Sequence, residues 1–241
     1  MKKGRTLAIG DIHGAYKALM QCLERCAFDY QNDTLIPLGD IADGWAEVRQ
    51  CVDELLKIEN LIAIRGNHDE WLRAFFETYF HPDFWRQGGL GTLKSYSEEN
   101  GICNPDCFPK SHRMFFKKQR LFYIDDKRRC FVHGGFNREI QFIGQPEDIY
   151  YWDRSLWEKA QSVKGENNKL KTVDDFSEIF IGHTAVNNGN NKEAKPLYAG
   201  GVWNLDTGAG WDGKLTIMDV DTHEYWQSDF VTDLYPGIKE R

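Results

Sequence analysis

The chain has 241 residues, a formal charge of −7 and an isoelectric point near 5.5. That balance argues against a protein that gains affinity by neutralising nucleic-acid phosphates, which needs a basic stripe. No apolar run approaches the ~20 residues that span a bilayer. The start, Met1-Lys2-Lys3-Gly4-Arg5, runs directly into a strand and a motif, so the expectation is an unprocessed cytoplasmic protein forming one domain over residues 1–241.

Three short apolar runs, Leu7-Ala8-Ile9, Leu35-Ile36-Pro37-Leu38 and Leu61-Ile62-Ala63-Ile64, read as buried strands. Leu19, Leu23 and Cys26 lie at helical spacing within 16–27, and Val48, Val52, Leu55 and Leu56 do so within 46–57. The result is a parallel βαβαβ start, whose ligand-bearing loops gather at the carboxyl ends of the strands. Residues 71–120 change character and read as a helical insertion over that edge. In it Trp71, Phe75, Phe76 and Tyr79 are expected to be core rather than ligand-stacking groups.

The second half is richer in strands, at 121–125, 129–133, 179–182, 203–206, 214–220 and 224–230, with hairpin turns at Asp125-Asp126 and Asp221-Thr222. The polar connections 164–171 and 187–195 are expected to be mobile. The predicted class is therefore α/β: two packed β-sheets with helices outside, an αββα sandwich. Cys22 and Cys26 read as small core hydrophobes, while Cys103 and Cys107 flank Asn104-Pro105-Asp106 in a loop and are left without a role.

The chemistry is concentrated in a few segments. Gly10-Asp11-Ile12-His13-Gly14, Gly39-Asp40-Ile41-Ala42-Asp43, Gly66-Asn67-His68-Asp69 and His133-Gly134-Gly135 each place metal-binding side chains beside glycine after an apolar run. With Gly182-His183 they hold four of the seven histidines. Asp11 and His13 are two apart at a strand end and can share a cation that Asp40 also reaches. Asn67, His133 and His183 add an amide oxygen and two imidazoles, a mixed set that suits divalent transition ions better than calcium. Asp40, central and with two oxygens, is the expected bridge between two ions. Such a pair can polarise a phosphoryl group, acidify a bridging water and orient in-line attack. His68 follows Asn67 directly and is expected to face away from that metal and serve as general acid, oriented by Asp43.

These segments, with Trp85-x-x-Gly88-Gly89-x-x-Thr92-Leu93-x-Ser95-Tyr96, Tyr151-Trp152-Asp153-Arg154 and Leu205-Asp206-Thr207-Gly208-Ala209, resemble the calcineurin-like metallophosphoesterases. The likeness is specifically to the phosphoprotein phosphatase branch and its bacterial and phage members. The resemblance implies Asp11, His13 and Asp40 on one metal and Asp40, Asn67, His133 and His183 on the other. It also implies the His68–Asp43 pair as proton donor, and Arg154, together with Asn67, on the substrate phosphate. Manganese is the implied metal, with iron or zinc as alternatives. One departure stands out: the branch usually carries arginine directly after the residue matching Asp43, and here that residue is Gly44. Arg65 is read as supporting the site rather than replacing that arginine; Arg86 and Arg113 are the other candidates.

Three readings compete. The first is a Ser/Thr protein phosphatase or broad phosphomonoesterase acting on a phosphorylated protein or a small phosphoester. The second is a symmetrical dinucleoside polyphosphate hydrolase, to which Gly44 and an aromatic insertion able to stack a purine are suited. The third, a non-catalytic binding protein, is disfavoured because every ligand and the proton donor are present.

Overall fold

Strands and helices alternate through the first third of the chain. β1 (Thr6–Ile9) leads to α1 (Tyr16–Arg25), β2 (Thr34–Pro37) to α2 (Val48–Leu55), and β3 (Asn60–Leu61) to α3 (Asn67–Thr78). The computed structural model describes residues 4–80, 85, 87–97, 103–163, 168–186 and 193–237. After α3 come α4 (Gly89–Tyr96), a 3-10 turn at Pro105–Cys107 and α5 (Lys110–Lys118). The second half holds β4 (Phe122–Ile124), β5 (Arg129–Val132), α6 (Ile149–Trp152), α7 (Ser155–Gln161), β6 (Glu178–Ile181), β7 (Leu197–Ala199), β8 (Val202–Asn204), β9 (Thr216–Asp219), β10 (Tyr225–Gln227) and α8 (Val231–Leu234).

Two five-stranded mixed sheets result, in the orders β10-β9-β1-β2-β3 and β4-β5-β6-β8-β7. In the first, β1 pairs in parallel with β2 and antiparallel with β9. In the second, β5, β6 and β8 run parallel, and antiparallel β4 and β7 form the edges. Side-chain alternation along β1 places the layers: Leu7 and Ile9 join the core beneath α1 and α2, while Ala8 joins a separate cluster with Ile36, Leu38, Phe131, Phe180 and Leu205. That cluster is the seam between the sheets, where Phe131 stacks on Phe180 with ring centres 5.0 Å apart. The outer face of the second sheet buries Cys130, Val132, Ile179 and Ile181 against Tyr150, Leu156 and Trp157. The αββα sandwich read from the sequence is the observed architecture.

Both expected hairpins are present, β4–β5 across 125–128 and β9–β10 across 220–224. The third strand is shorter than expected: its ladder with β2 ends at Leu61, although Ile64 N–H still donates to the Pro37 carbonyl while Ile64 also bridges Arg120. Tyr79 is corrected from core to surface, because α3 ends there in a left-handed turn (φ 57°) that leaves the ring 55% exposed on Asp106. Phe75 is buried as expected, with Trp71 and Phe76 packed against the same core. Cys22 and Cys26 are buried and reduced, as read.

Of the two connections expected to be mobile, 164–167 and 187–192 lie outside the described residues. Their described flanks are anchored, since Leu170 N–H donates to the Gly200 carbonyl and Gln227 donates to the Ala194 carbonyl. No helix among the described residues is long and apolar enough to cross a membrane.

Candidate metal centre and active site

Every chemically promising segment follows the carboxyl end of a strand. Asp11 and His13 follow β1, Asp40 follows β2, His133 follows β5, His183 follows β6 and Asp206 follows β8, so neighbouring parallel strands deliver them to one edge of the sandwich. Asn67 and His68 arrive differently from expectation, on the first turn of α3 rather than in a loop. There the His68 amide donates to Asp40 Oδ1 at 3.0 Å, so a helix amino end faces this carboxylate.

Two of the glycines beside these residues have a steric reason. A Cβ on Gly66 would lie 2.0 Å from Asp40 Oδ1, and one on Gly182 would lie 2.1 Å from Asp11 Oδ1. The carboxylates occupy space that any other residue would fill.

Two triads of buried donors converge on Asp40. The ligand atoms of His13, Asp40 and His68 lie within 4.8 Å of one another, as do those of Asp40, His133 and His183. His133 Nδ1 is 2.8 Å from the Leu38 carbonyl, which can only accept, so Nδ1 carries the proton. Nε2 is left facing Asn67 Oδ1 at 3.1 Å and Asp40 Oδ2 at 3.3 Å. Asp11 completes the group, accepting from the His183 amide at 3.1 Å. The structure thus brings Asp11, His13, Asp40, Asn67, His68, His133 and His183 together. His68 groups with His13 and Asp40 rather than with the His133 and His183 donors that Asn67 faces.

The electrostatics are those of charges crowded out of water. Burial, then the charge of Asp206, raises the Asp11 carboxyl well above its ordinary range. Burial acts to raise Asp40 too, but His133 and His68 beside it hold the carboxyl well below that range. Burial disfavours the His133 imidazolium, yet the Asp40 and Asp11 charges and its hydrogen bonds outweigh this and push it up to about 10. His183 is driven the other way by burial and by the charges of His133 and Arg154.

His183 Nε2 is buried without a hydrogen-bond partner among the described residues. An orphaned imidazole nitrogen beside carboxylates and a second imidazole is the pattern that a divalent cation relieves. The residues present therefore fit a metal pair.

Beside the triads, Asp43 is completely buried and fully engaged. His68 Nδ1 donates to its Oδ2 at 2.8 Å, Trp85 Nε1 to the same oxygen at 2.6 Å and Thr92 Oγ1 to Oδ1 at 2.7 Å. Trp85 and Thr92 belong to the segment between α3 and α5, so that segment reaches the centre through Asp43. Asp69 plays the matching part on the other side. Its carboxylate accepts from the Ile41, Ala42 and Gly66 amides and from Gln119, and burial raises it to about 6.

A cavity of about 430 Å³ opens over the cluster, lined also by Gln87, Trp152, Arg154, Asp206, Trp211 and Asp212. Arg154 Nη1 donates to the His183 carbonyl and to Thr184 Oγ1, which fixes the guanidinium at the rim.

A profile of the calcineurin-like phosphoesterase family matches residues 4–213. The chain is a calcineurin-like phosphoesterase. As such it is a metal-dependent phosphohydrolase of a family built on a dinuclear metal centre. The phosphoesterase is 26% identical to Serine/threonine-protein phosphatase 1 of Salmonella typhimurium, covering 88% of this chain and 90% of that protein. It is 23% identical to the symmetrical Bis(5'-nucleosyl)-tetraphosphatase of Dechloromonas aromatica, covering 93% and 95%. In structure it is similar to a metallophosphoesterase from Sphaerobacter thermophilus, with a TM-score of 0.56 at 16% identity over 95% of this chain and 89% of that one.

Of the arginines considered in place of Gly44, Arg65 is turned away onto Glu70 and the Gln119 carbonyl. Arg113 lies near Asp106, and Arg86 is outside the described residues. Sequence reasoning gave no role to Asp69, Gln87, Trp85, Thr92, Asp206 or Gln119. Trp85 and Thr92 stand in a motif already noted, but only the fold reveals their shared partner.

Proposed function

We propose that this phosphoesterase hydrolyses phosphomonoesters, with a phosphoserine- or phosphothreonine-bearing protein as its substrate class. The observation that carries this reading is the charge of the cavity: apart from histidines, Arg154 is the one cationic side chain among its described lining residues, which also include Asp206 and Asp212. A single phosphoryl group matches one guanidinium. A tetraphosphate chain would carry further negative charges past two carboxylates.

In this reading Asp11, His13 and Asp40 hold one divalent ion, and Asp40, Asn67, His133 and His183 hold the other, manganese being the expected metal with iron or zinc as alternatives. When bound, the pair supplies Lewis-acid polarisation of the phosphoryl group and a nucleophile that ionises near neutral pH. The chain's own residues do the rest. His133 is locked in one tautomer by the Leu38 carbonyl. Arg154, anchored through Nη1, presents its remaining N–H groups to the phosphoryl oxygens, and Asn67 can share that contact through its amide.

His68 donates Nδ1–H to Asp43, so its Nε2 is the nitrogen that can deliver a proton to the departing alkoxide. Asp43 holds the ring and balances its charge, while Trp85 and Thr92 hold Asp43.

A second reading, dinucleoside polyphosphate hydrolysis, is favoured by Trp152 and Trp211, which line the cavity at 43% and 53% exposure and could stack a base. The deciding experiment compares kcat/KM for a phosphothreonine peptide, p-nitrophenyl phosphate and diadenosine tetraphosphate with manganese. Tenfold or greater preference for the peptide is expected; preference for the dinucleotide would transfer the function to the second reading.

A further inference from the structure

The loop that carries Asp43 gives the cavity no side chain of its own at the next position. Gly44 sits at φ 96°, and a Cβ there would lie 2.8 Å from the His13 carbonyl oxygen and 3.0 Å from the His13 Cβ. The other side is closed as well. Gly44 N–H donates to the Gly88 carbonyl at 3.0 Å, and a Cβ on Gly88 or on Gly91 would come within 2.3 Å or 2.0 Å of the Gly44 backbone. Three glycines therefore bring the start of α4 into direct backbone contact with residue 44. The residue immediately before that contact, Gln87, is exposed and lines the cavity with the metal triads, His68 and Arg154.

We infer that Gln87 is a specificity-determining residue of the phosphoryl subsite, a neutral amide that contacts a phosphoryl oxygen on the His68 side and leaves Arg154 as the sole charged clamp among the described residues. This rests on the phosphohydrolase reading above and extends its substrate class from monoesters to diesters. Gln87 makes no hydrogen bond within the described protein, so its N–H groups are available to a ligand. Its backbone is tied through Gly88 to Gly44, next to the carboxylate that holds His68. An amide donates to an ionised oxygen without requiring charge. The subsite therefore matches a phosphoryl group bearing one negative charge, as in a phosphodiester, as well as it matches a monoester dianion.

The test uses the manganese-loaded protein with Gln87→Ala and Gln87→Arg. Calorimetry reads inorganic phosphate affinity, and kcat/KM is measured for p-nitrophenyl phosphate and bis-p-nitrophenyl phosphate. Because Gln87 is exposed and makes no internal hydrogen bond, neither change should alter the circular dichroism spectrum or metal content. Gln87→Ala is expected to weaken phosphate binding several-fold. Gln87→Arg is expected to tighten it about tenfold and to lower the diester-to-monoester ratio of kcat/KM by a similar factor, as a charged donor replaces a neutral one. Phosphate affinities within twofold of wild type in both variants, or no phosphate binding by the wild type, would overturn the assignment. Failure of the wild type to hydrolyse either ester would instead sink the phosphohydrolase reading, while the calorimetry would still score Gln87.

Discussion

Trp85 and Asp43 are 42 residues apart in the chain and joined by an indole N–H···carboxylate bond of 2.6 Å, both side chains being completely buried. The indole shares Asp43 Oδ2 with His68, so the segment between α3 and α5 sets the position of the proposed proton donor. Trp85→Phe keeps most of the ring volume and removes that donor. It should destabilise the protein by about 1–3 kcal/mol, the cost of leaving a buried carboxylate short of a partner. Urea unfolding reads this directly. A fall in kcat at unchanged metal content is expected alongside it, and an unchanged kcat would separate Trp85 from the proton donor.

His68→Asn tests the role of His68, which matters more now that the ring is seen beside His13 and Asp40. As general acid, its loss should cut kcat by roughly 10²–10⁴ while two metals per chain remain by elemental analysis. Retention of only one metal would make His68 a ligand instead. Asp40→Asn, at the meeting point of both triads, should abolish hydrolysis and weaken metal binding together.

Metal removal should be visible without any substrate. His183 Nε2, buried without a partner among the described residues, would gain one from a cation in the proposed centre, so manganese at about 100 times its dissociation constant should add roughly 2.7 kcal/mol of stability. For a chain of this size that is a rise in Tm of about 5–10 °C over the chelator-treated protein. An identical Tm with and without manganese would contradict the assignment of these residues as ligands.

Arg5 and Asp33 give a pH dependence remote from the centre. The Asp33 carboxylate accepts from the Arg5 backbone N–H, Nε and Nη2 and from the Asp29 amide. Burial opposes ionisation, but these donors hold the carboxyl below its ordinary range. A carboxyl whose folded value is depressed contributes stability that is fully present above the unfolded value, ~3.9, and is lost as pH falls through the lower folded value. Asp33→Asn should therefore cost about 1–3 kcal/mol at pH 7, with the gap to wild type closing below pH 4 in urea titrations.

The architecture was legible because its signals are local. Leu7-Ala8-Ile9 and Leu35-Ile36 are apolar on both faces, as parallel strands buried between layers must be, and each runs into residues that a core would not tolerate without a partner. Edge strand β7, with Tyr198 exposed and three residues in all, has no such pattern and escaped notice. So did α6 and α7, four and seven residues long, whose aromatic content does not distinguish helix from strand. At the centre, side chains in Gly-Asp-x-His and Gly-Asn-His segments announced themselves by type. Asp69, Gln119, Thr92 and Gln87 are ordinary residues whose importance lies in a partner 27 or more positions away for Asp69 and Thr92, or in a backbone contact one residue along for Gln87, and no spacing rule reports that.

His13, Asp40, Asp43 and His183 all adopt left-handed backbone, with φ between 48° and 67°. Residues other than glycine hold such a conformation at a cost of about 1 kcal/mol, smaller for asparagine and aspartate. Glycine would suit the backbone of every one of these positions better, and would empty the centre. Selection for foldability and selection for turnover therefore pull in opposite directions at the same four codons. A descendant of this chain released from its catalytic duty should be free to exchange the two histidines for glycine, relaxing its backbone as it falls silent.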